Sequence, residues 1–172
     1  MPRITAAAAG GQNMLACLDM IAWAEGTSTS PATLCDGYDV IVTGYGGLPE
    51  VFTDFTDHPF AGGRPSKRIN KANTLTSNAS GRYQQMLKDW PHYKALLQLP
   101  DFGPLSQDLL AIRHIKECRA LDDVKAGRIV AALEKIRRIW ASLPGANYPG
   151  QPMRGLYDCV RVYRLAGGVV SK

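Results

Sequence analysis

The stretch LDMIAWAEGT, residues 18–27, places one carboxylate directly after a run of apolar residues. The apolar residues recur at helical spacing, and Gly26 can take the positive φ that ends a helix. Glu25 therefore falls in the last turn of a helix that faces the core. A carboxyl group that is partly desolvated beside Trp23 has a raised pKa and keeps a proton for a leaving group. This makes Glu25 a candidate general acid, although a solvated glutamate at a helix end has the same pattern.

Acidic and aromatic residues are concentrated a little further along the chain, in an otherwise basic protein. Sugar hydroxyls bond to carboxylates, and sugar faces pack on aromatic rings, so this composition favours a carbohydrate site. Aspartate is also common in turns, which explains the same pattern without a ligand. The residues concerned are Asp36, Tyr38, Asp39, Asp54 and Asp57.

A zinc site is the competing interpretation. His114 and Cys118 are four residues apart, hence on one face of a predicted helix, and His58 follows Asp57. Histidine and cysteine are zinc ligands, so a site like that of a zinc amidase is conceivable. The pattern fits better if Cys118 is a small core residue and His114 lies on the helix surface. We therefore expect neither a metal nor another cofactor.

Charge and composition limit the partners. The 172 residues carry a net charge of +5, which favours an anionic partner such as nucleic acid, acidic lipid or acidic cell-wall polymer. The basic segment 61–80 has no aromatic residue to stack on bases, so we expect no nucleic-acid partner. The 4 cysteines are far apart and form no CxxC, which fits synthesis in a reducing compartment. Polar residues interrupt the N-terminal apolar stretch, which predicts neither signal peptide nor membrane anchor.

The periodicity predicts a helix, then a β-hairpin, then further helices. Residues 1–12 are expected to be a flexible tail, and residues 13–172 one catalytic domain. Residues 61–80 are expected to be a long surface loop. The first predicted helix runs from Asn13 to Gly26, and the predicted strands are Val40–Val42 and Val51–Phe55. Of the later predicted helices, one carries Arg82–Leu87, one starts after Pro91 and one starts at Pro104. The last two span Ile129–Trp140 and Met153–Gly167.

Seven short stretches, in this order over about residues 13–168, resemble the bacteriophage lambda endolysin family. Any one of them is a weak signal, but their order along the chain is very specific. They are LDMIAWAEGT (18–27), GYDVIV (37–42), FTDFTDHP (52–59), GRYQ (81–84), SQD (106–108), IKE (115–117) and WASLPGANY (140–148).

The resemblance implies a lysozyme-like α+β fold, in which a mostly helical lobe and a small hairpin lobe flank a glycan cleft. It also implies cleavage of the β-1,4 bond between N-acetylmuramic acid and N-acetylglucosamine in peptidoglycan. Glu25 of WAEGT matches the catalytic glutamate, and Asp39 of GYDVIV lines the cleft from the hairpin. The remaining substrate contacts are carried over to Arg82 and Gln84 on a facing helix, and to Tyr38 and Tyr148 as rings that pack on sugars.

The lambda-type enzymes are lytic transglycosylases that work with a single acid, and this is the reaction that the resemblance implies. Better-known phage lysozymes place an Asp and then a Thr soon after their Glu, and the segment after Glu25 lacks that spacing. Hydrolysis with Asp36 or Asp39 as the second group is the alternative. Less favoured alternatives are the zinc amidase and a wall-binding module without chemistry.

The resemblance also sets expectations about cellular context. The protein should act as a monomer on peptidoglycan strands. It should stay in the host cytoplasm until a separate holin opens the inner membrane, and then reach the periplasm and the cell wall.

Overall fold

The structure is a computed structural model that describes residues 3–148 and 152–171. The described residues form seven α-helices and two antiparallel two-stranded sheets, which confirms the predicted α+β class. They divide into two compact units, which we describe separately. The first unit is formed by residues 26–107, and the second by the described residues on either side of that segment. Within these residues, no helix combines the length and apolar character that spanning a bilayer requires.

The first unit contains the predicted β-hairpin. Strand β1 (Val40–Ile41) pairs with strand β2 (Glu50–Val51), so that Val40 lies opposite Val51. The segment 61–80, expected to be an unstructured loop, contains a second hairpin of β3 (Lys67–Arg68) and β4 (Thr76–Ser77). Polar strands of two residues leave almost no periodic signal in a sequence, which explains this difference.

The prediction of a helix that carries Arg82–Leu87 is wrong. Ser80 and Gln85 exchange both backbone hydrogen bonds, at 3.0 and 2.8 Å, and the four residues between them form a turn. Gly81 has φ 77° and Gln84 has φ 50°, and both values are incompatible with a right-handed helix. The first helix of this region is α3 (Trp90–Leu97), close to the predicted start after Pro91.

An aromatic cluster forms the core of the first unit. Phe102 is completely buried, and its ring lies 4.9 Å from Trp90, 4.8 Å from His58 and 5.9 Å from Phe52, measured between ring centroids. Large rings bury much apolar area per residue, so a few of them stabilise a unit that has only short strands.

The second unit is helical. The helices are α1 (Ala6–Ala9), α2 (Gln12–Ala24), α4 (Pro104–Glu117), α5 (Leu121–Lys125), α6 (Ile129–Ile136) and α7 (Leu156–Leu165). Helix α4 starts at Pro104, as predicted; its residues up to Gln107 belong to the first unit, and those from Asp108 onwards belong to the second. Helix α2 contacts α1, α5 and α7, and its buried side chains form the centre of the core. Helix α5 had no counterpart among the predicted elements.

The described part of the expected tail, residues 3–12, is structured. The Thr5 side chain accepts a hydrogen bond from the Ala8 amide, and Gly10 closes helix α1 with φ 93°. Ile4 is buried, and its amide donates to Asp108 at 2.9 Å. Alanine has the highest helix propensity, and its small side chain allows α1 to pack closely on α2, so a short capped alanine run is ordered here. Residues 1 and 2 of the expected tail, and 149–151 and 172 of the expected domain, lie outside the described residues.

Candidate active site

Glu25 lies directly after helix α2, at the helix end that the sequence pattern predicts. The helix ends at Ala24, Glu25 is its C-terminal cap in helical conformation, and Gly26 follows with φ 75°. The Glu25 side chain is half-buried in the second unit. The Ser142 hydroxyl donates a hydrogen bond of 2.6 Å to its Oε1. The carboxyl group is therefore held at a fixed position instead of extending into water.

The surroundings of Glu25 raise its pKa above the ordinary value of a glutamate. Desolvation by burial is the largest effect, because the charged form loses its hydration. Hydrogen bonds from the side chain and backbone of Ser142, and the positive charge of Arg154, act in the opposite direction but more weakly. This desolvation agrees in direction with the expectation, and it favours the protonated form that a general acid needs.

Ser142 and Arg154 are the site residues that the sequence did not reveal. The guanidinium of Arg154 lies over the Trp23 ring, 4.8 Å from its centroid, and its Nε donates to the Ala24 carbonyl at 3.3 Å. Its backbone amide donates to the Ser142 carbonyl at 2.8 Å. Ser142 lies within the motif WASLPGANY, which gave a hint, but it pairs with a residue 117 positions away. Nothing in a single sequence marks Arg154.

Tyr38 and Asp39 lie side by side in the first unit, and each is only 3% exposed. Asp39 accepts hydrogen bonds from the Thr33 hydroxyl at 2.5 Å and from the Leu34 amide at 2.8 Å, one on each carboxylate oxygen. The Tyr38 ring lies 4.9 Å beneath the guanidinium of Arg82. The predicted roles of Tyr38 as a sugar platform and Asp39 as a substrate contact do not fit this burial, since both side chains already bind their own unit.

Arg82 is also internal, with 2% of its surface exposed. Its guanidinium forms an ion pair with Asp36 at 2.7 Å and donates to the backbone carbonyl of the same residue. The Arg82 carbonyl accepts from the Thr27 hydroxyl at 2.6 Å. Arg82 therefore joins two loops of the first unit and lies in a turn, not on the facing helix that was predicted. The predicted role in substrate binding does not fit this arrangement.

Gln107, of the motif SQD, has a similar joining role. Its buried side-chain amide makes three hydrogen bonds: its Oε1 accepts from the Arg82 amide at 2.8 Å, and its Nε2 donates to the carbonyls of Tyr38 at 3.0 Å and Phe102 at 2.7 Å. One side chain thus links the hairpin, the turn at 81–84 and the start of α4. Arg82 of the motif GRYQ and Gln107 of the motif SQD are thus hydrogen-bonded to each other, and this contact stabilises the first unit.

Gln84 and Tyr148 are the predicted binding residues that keep accessible surface. The Gln84 side chain is half-buried, and its amide nitrogen donates to the Gly81 carbonyl at 3.1 Å. Its side-chain oxygen can therefore accept a hydrogen bond from a ligand. Tyr148, in the second unit, is 43% exposed, and its hydroxyl donates to the Arg138 carbonyl at 3.0 Å. A ring that is anchored by its hydroxyl and exposed on its side suits packing on a sugar. Their roles remain predictions.

Asp39→Asn should separate a structural role from a binding role. The NH2 group of the asparagine would face either the Thr33 hydroxyl or the Leu34 amide, both of which donate to Asp39. One hydrogen bond is then lost between two donors, so we expect the free energy of unfolding to fall by about 1–3 kcal/mol. The activity per folded molecule should be unchanged. Denaturant unfolding and steady-state kinetics on a soluble glycan measure the two quantities.

Asp54→Asn is the matched control, because Asp54 accepts the same two kinds of bond from Thr56 but lies exposed. Its effect on unfolding should be within about 0.5 kcal/mol. A raised KM for Asp39→Asn with unchanged stability would restore Asp39 to the binding site.

The residues considered for zinc have other partners. The Gln85 carbonyl can only accept, so His58 donates from Nε2 at 3.0 Å, and its Nδ1 then accepts from the Phe60 amide at 3.3 Å. Cys118 Sγ accepts from Arg138 at 3.2 Å. In residues 3–148 and 152–171, no three His, Cys, Asp or Glu side chains are grouped as ligands for a metal ion. The geometry therefore gives the zinc interpretation no support.

An open pocket of about 650 Å³ lies in the first unit and contains two of the acidic residues singled out in the sequence, Asp54 and Asp57. Asp57 accepts from the Trp90 indole at 2.5 Å and pairs with Lys94 at 3.3 Å. The pocket is lined by Phe52, Thr53, Asp54, Thr56, Asp57, His58, Pro59, Ala61, Gly62 and Arg64.

Comparison with known proteins finds similar chains among phage endolysins. The chain is 58% identical over 158 residues to the endolysin of Escherichia phage P2, covering 92% of this chain and 94% of that protein. It is 42% identical over 158 residues to the endolysin of Escherichia phage lambda, covering 91% and 92% of the two chains.

Solved structures of a phage lysozyme are also similar to this chain. The chain matches bacteriophage lambda lysozyme complexed with a chitohexasaccharide with a TM-score of 0.83 and 40% identity, covering 99% of this chain and 100% of that one. A second structure of lysozyme from bacteriophage lambda gives a TM-score of 0.77 at 37% identity, with the same coverage. The fold is therefore lysozyme-like, as the resemblance implied. The family model for endolysins matches residues 15–170, and the chain belongs to the endolysin family.

Proposed function

We propose that this endolysin cleaves the glycan strands of peptidoglycan, at the β-1,4 bond between N-acetylmuramic acid and N-acetylglucosamine. The observation that carries the proposal is Glu25, a half-buried carboxyl group whose pKa is raised and which Ser142 holds in position. An acid of this kind protonates the bridging oxygen while the bond to the anomeric carbon breaks. The solved relative with a bound chitohexasaccharide supports a glycan as the ligand.

The reaction that fits best is that of a lytic transglycosylase, with Glu25 as both acid and base. Hydrolysis needs a second group, usually a carboxylate, to activate water or to form a covalent intermediate. The two candidates for that role are engaged elsewhere: both oxygens of Asp39 bind Thr33 and Leu34, and Asp36 is paired with Arg82. A mechanism with a single acid does not need them.

Each proton has a defined path in this mechanism. Protonated Glu25 gives its proton to the oxygen of the leaving N-acetylglucosamine, and the bond from that oxygen to C1 of muramic acid breaks. The Glu25 carboxylate then takes the proton of the 6-hydroxyl of the same muramic acid, and O6 bonds to C1. The products are a free 4-hydroxyl and a 1,6-anhydromuramic end, no water is consumed, and Glu25 is protonated again. Nucleophile and electrophile belong to one sugar, so the ring closure is intramolecular and competes well with water.

Ser142→Ala should move the pH dependence of catalysis. The hydrogen bonds from Ser142 lower the Glu25 pKa, so loss of the hydroxyl should raise that pKa further. Cleavage requires the protonated acid, and the alkaline limb of kcat/KM against pH should therefore shift to higher pH. We also expect kcat/KM at the optimum to fall roughly fivefold, the equivalent of about 1 kcal/mol. Ser142→Thr keeps a hydroxyl and is the matched control; a variant profile that superimposes on that of the wild type would remove Ser142 from this role.

Digestion of purified sacculi tests the bond that is cut. We expect new sugar ends without new free amino groups, and no change in rate when a metal chelator is added. New amino groups together with chelator sensitivity would instead establish the zinc amidase, and binding to sacculi without any new end would establish a wall-binding module.

Access to the substrate completes the proposal. We infer that the protein accumulates in the host cytoplasm and reaches the wall when a holin permeabilises the inner membrane, and that it acts as a monomer. The net charge of +5 favours attraction to the anionic wall. Tyr148 remains the candidate for packing on a sugar ring and Gln84 for bonding an N-acetyl group, whereas we reassign Tyr38, Asp39 and Arg82 to holding the first unit together.

A further inference from the structure

Helix α7 buries one face in the second unit and exposes large apolar side chains on the other. Cys159 and Tyr163 are fully buried, and α7 lies against α2 and α6. On the opposite side, Tyr157 is 80% exposed and Leu165 is 76% exposed. Neighbouring exposed apolar side chains mark interaction surfaces, whereas single ones are ordinary.

The exposed side of α7 is basic as well as apolar. Arg161 lies 3.5 Å from Asp158, but both side chains are about half-exposed, so this pair contributes little. Arg164 has no ion-pair partner among the residues that the structure describes. A shallow groove of about 260 Å³ runs along this side. We name it the α7 outer face, and it consists of Tyr157, Val160, Arg161, Arg164 and Leu165.

We propose that the α7 outer face docks on the surface of an anionic lipid bilayer. The two arginines match lipid phosphates, and each basic residue near an anionic surface strengthens binding. Tyr157 and Leu165 can enter the boundary between head groups and acyl chains, while the arginines extend to the phosphates. The protein would lie on the bilayer without crossing it.

Two other partners fit this face less well. Nucleic acid would pair with Arg161 and Arg164, but it offers no hydrocarbon for Leu165. A second copy of the chain in a twofold dimer would bring the arginines of both copies into one interface, and this concentration of like charge disfavours association. A bilayer is the partner that satisfies both the charge and the apolar surface.

Vesicle sedimentation with the full chain tests the proposal. We expect binding to vesicles that contain phosphatidylglycerol, little binding to pure phosphatidylcholine, and weaker binding as salt is added. Arg161→Gln with Arg164→Gln should lower the partition coefficient roughly tenfold or more, and so should Tyr157→Ser with Leu165→Ser. All four positions are exposed, so the circular dichroism and the activity on purified sacculi should not change.

Matched controls come from other exposed positions. Leu34→Ser with Leu48→Ser removes two exposed apolar side chains from the first unit, and Lys88→Gln with Lys116→Gln removes two exposed charges. Both control variants should bind vesicles like the wild type. Equal binding to the two kinds of vesicle, an equal loss in the control variants, or full binding by the α7 variants would overturn the proposal. A concentration-dependent dimer that only the α7 variants abolish, without a change in vesicle binding, would assign the face to a second copy instead.

Discussion

Replacing Glu25 with glutamine should lower the rate of glycan cleavage by about 10²–10⁴-fold, the usual contribution of a positioned acid. The amide keeps the shape of the side chain, and its oxygen can still accept the hydrogen bond from Ser142. It has no proton to donate to the leaving oxygen. Release of soluble fragments from purified sacculi measures the effect, and circular dichroism establishes that the variant is folded.

Glu134→Gln is the control for this experiment, since it makes the same chemical change on the exposed side of helix α6. It should retain full activity. Substantial cleavage by a folded Glu25→Gln variant would eliminate Glu25 as the acid and, with it, the proposed mechanism.

The same variant should also change stability in a manner that depends on pH. The pKa of Glu25 is higher in the folded chain than in the unfolded chain, because folding desolvates the charge. Protonated Glu25 therefore makes its full contribution to the stability of the fold at pH values below its pKa in the unfolded chain. This contribution is lost as the pH rises through its pKa in the folded chain. Glutamine does not titrate, so Glu25→Gln should melt at a higher temperature than the wild type at pH 7, and the difference should close near about pH 4. A difference that does not vary with pH would contradict the raised pKa.

Gly81→Ala should strongly destabilise the first unit. Gly81 has φ 77°, and a Cβ there would overlap Oε1 of Gln107. Moving Gln107 would break its three hydrogen bonds to Arg82, Tyr38 and Phe102. The left-handed conformation costs about 1–2 kcal/mol for a residue with a side chain, and each lost buried hydrogen bond about 1 kcal/mol. We expect the free energy of unfolding to fall by about 3 kcal/mol or more.

The chain provides two graded controls for Gly81. Gly46→Ala introduces a side chain at φ 68° with open space around it, so it should show the conformational cost alone. Gly62→Ala has open space, and its φ lies outside the left-handed region, so its effect should be small. Denaturant unfolding of the three variants should rank them in this order; equal losses for Gly81 and Gly46 would show that Gln107 is not the obstacle.

Local patterns were sufficient to predict the parts of the fold that have strong periodicity. The apolar spacing before Glu25 predicted helix α2 to within one residue at its start, and the glycine after it marked the end. Pro104 marked the start of α4 in the same way. The short alanine helix α1 was missed because its stability comes from the Thr5 and Gly10 caps and from contact with α2, and composition alone does not reveal these.

The roles of individual site residues were harder to predict. Asp39 and Arg82 belong to stretches that resemble the family, yet resemblance does not distinguish a residue that holds the fold from one that binds a ligand. Their burial and hydrogen bonds make that distinction. Ser142 donates a hydrogen bond to Glu25 although the two residues are 117 positions apart in the sequence, and only the folded structure brings such distant residues together.

Mass spectrometry of digested peptidoglycan tests the central claim most directly, namely that Glu25 alone cuts the glycan and closes a ring on muramic acid. Purified sacculi digested by the wild type should yield muropeptides with 1,6-anhydromuramic ends, each lighter by one water than the hydrolytic product. Glu25→Gln should yield almost none. Reducing muramic ends in place of anhydro ends would contradict the single-acid mechanism and identify a hydrolase with a second catalytic group.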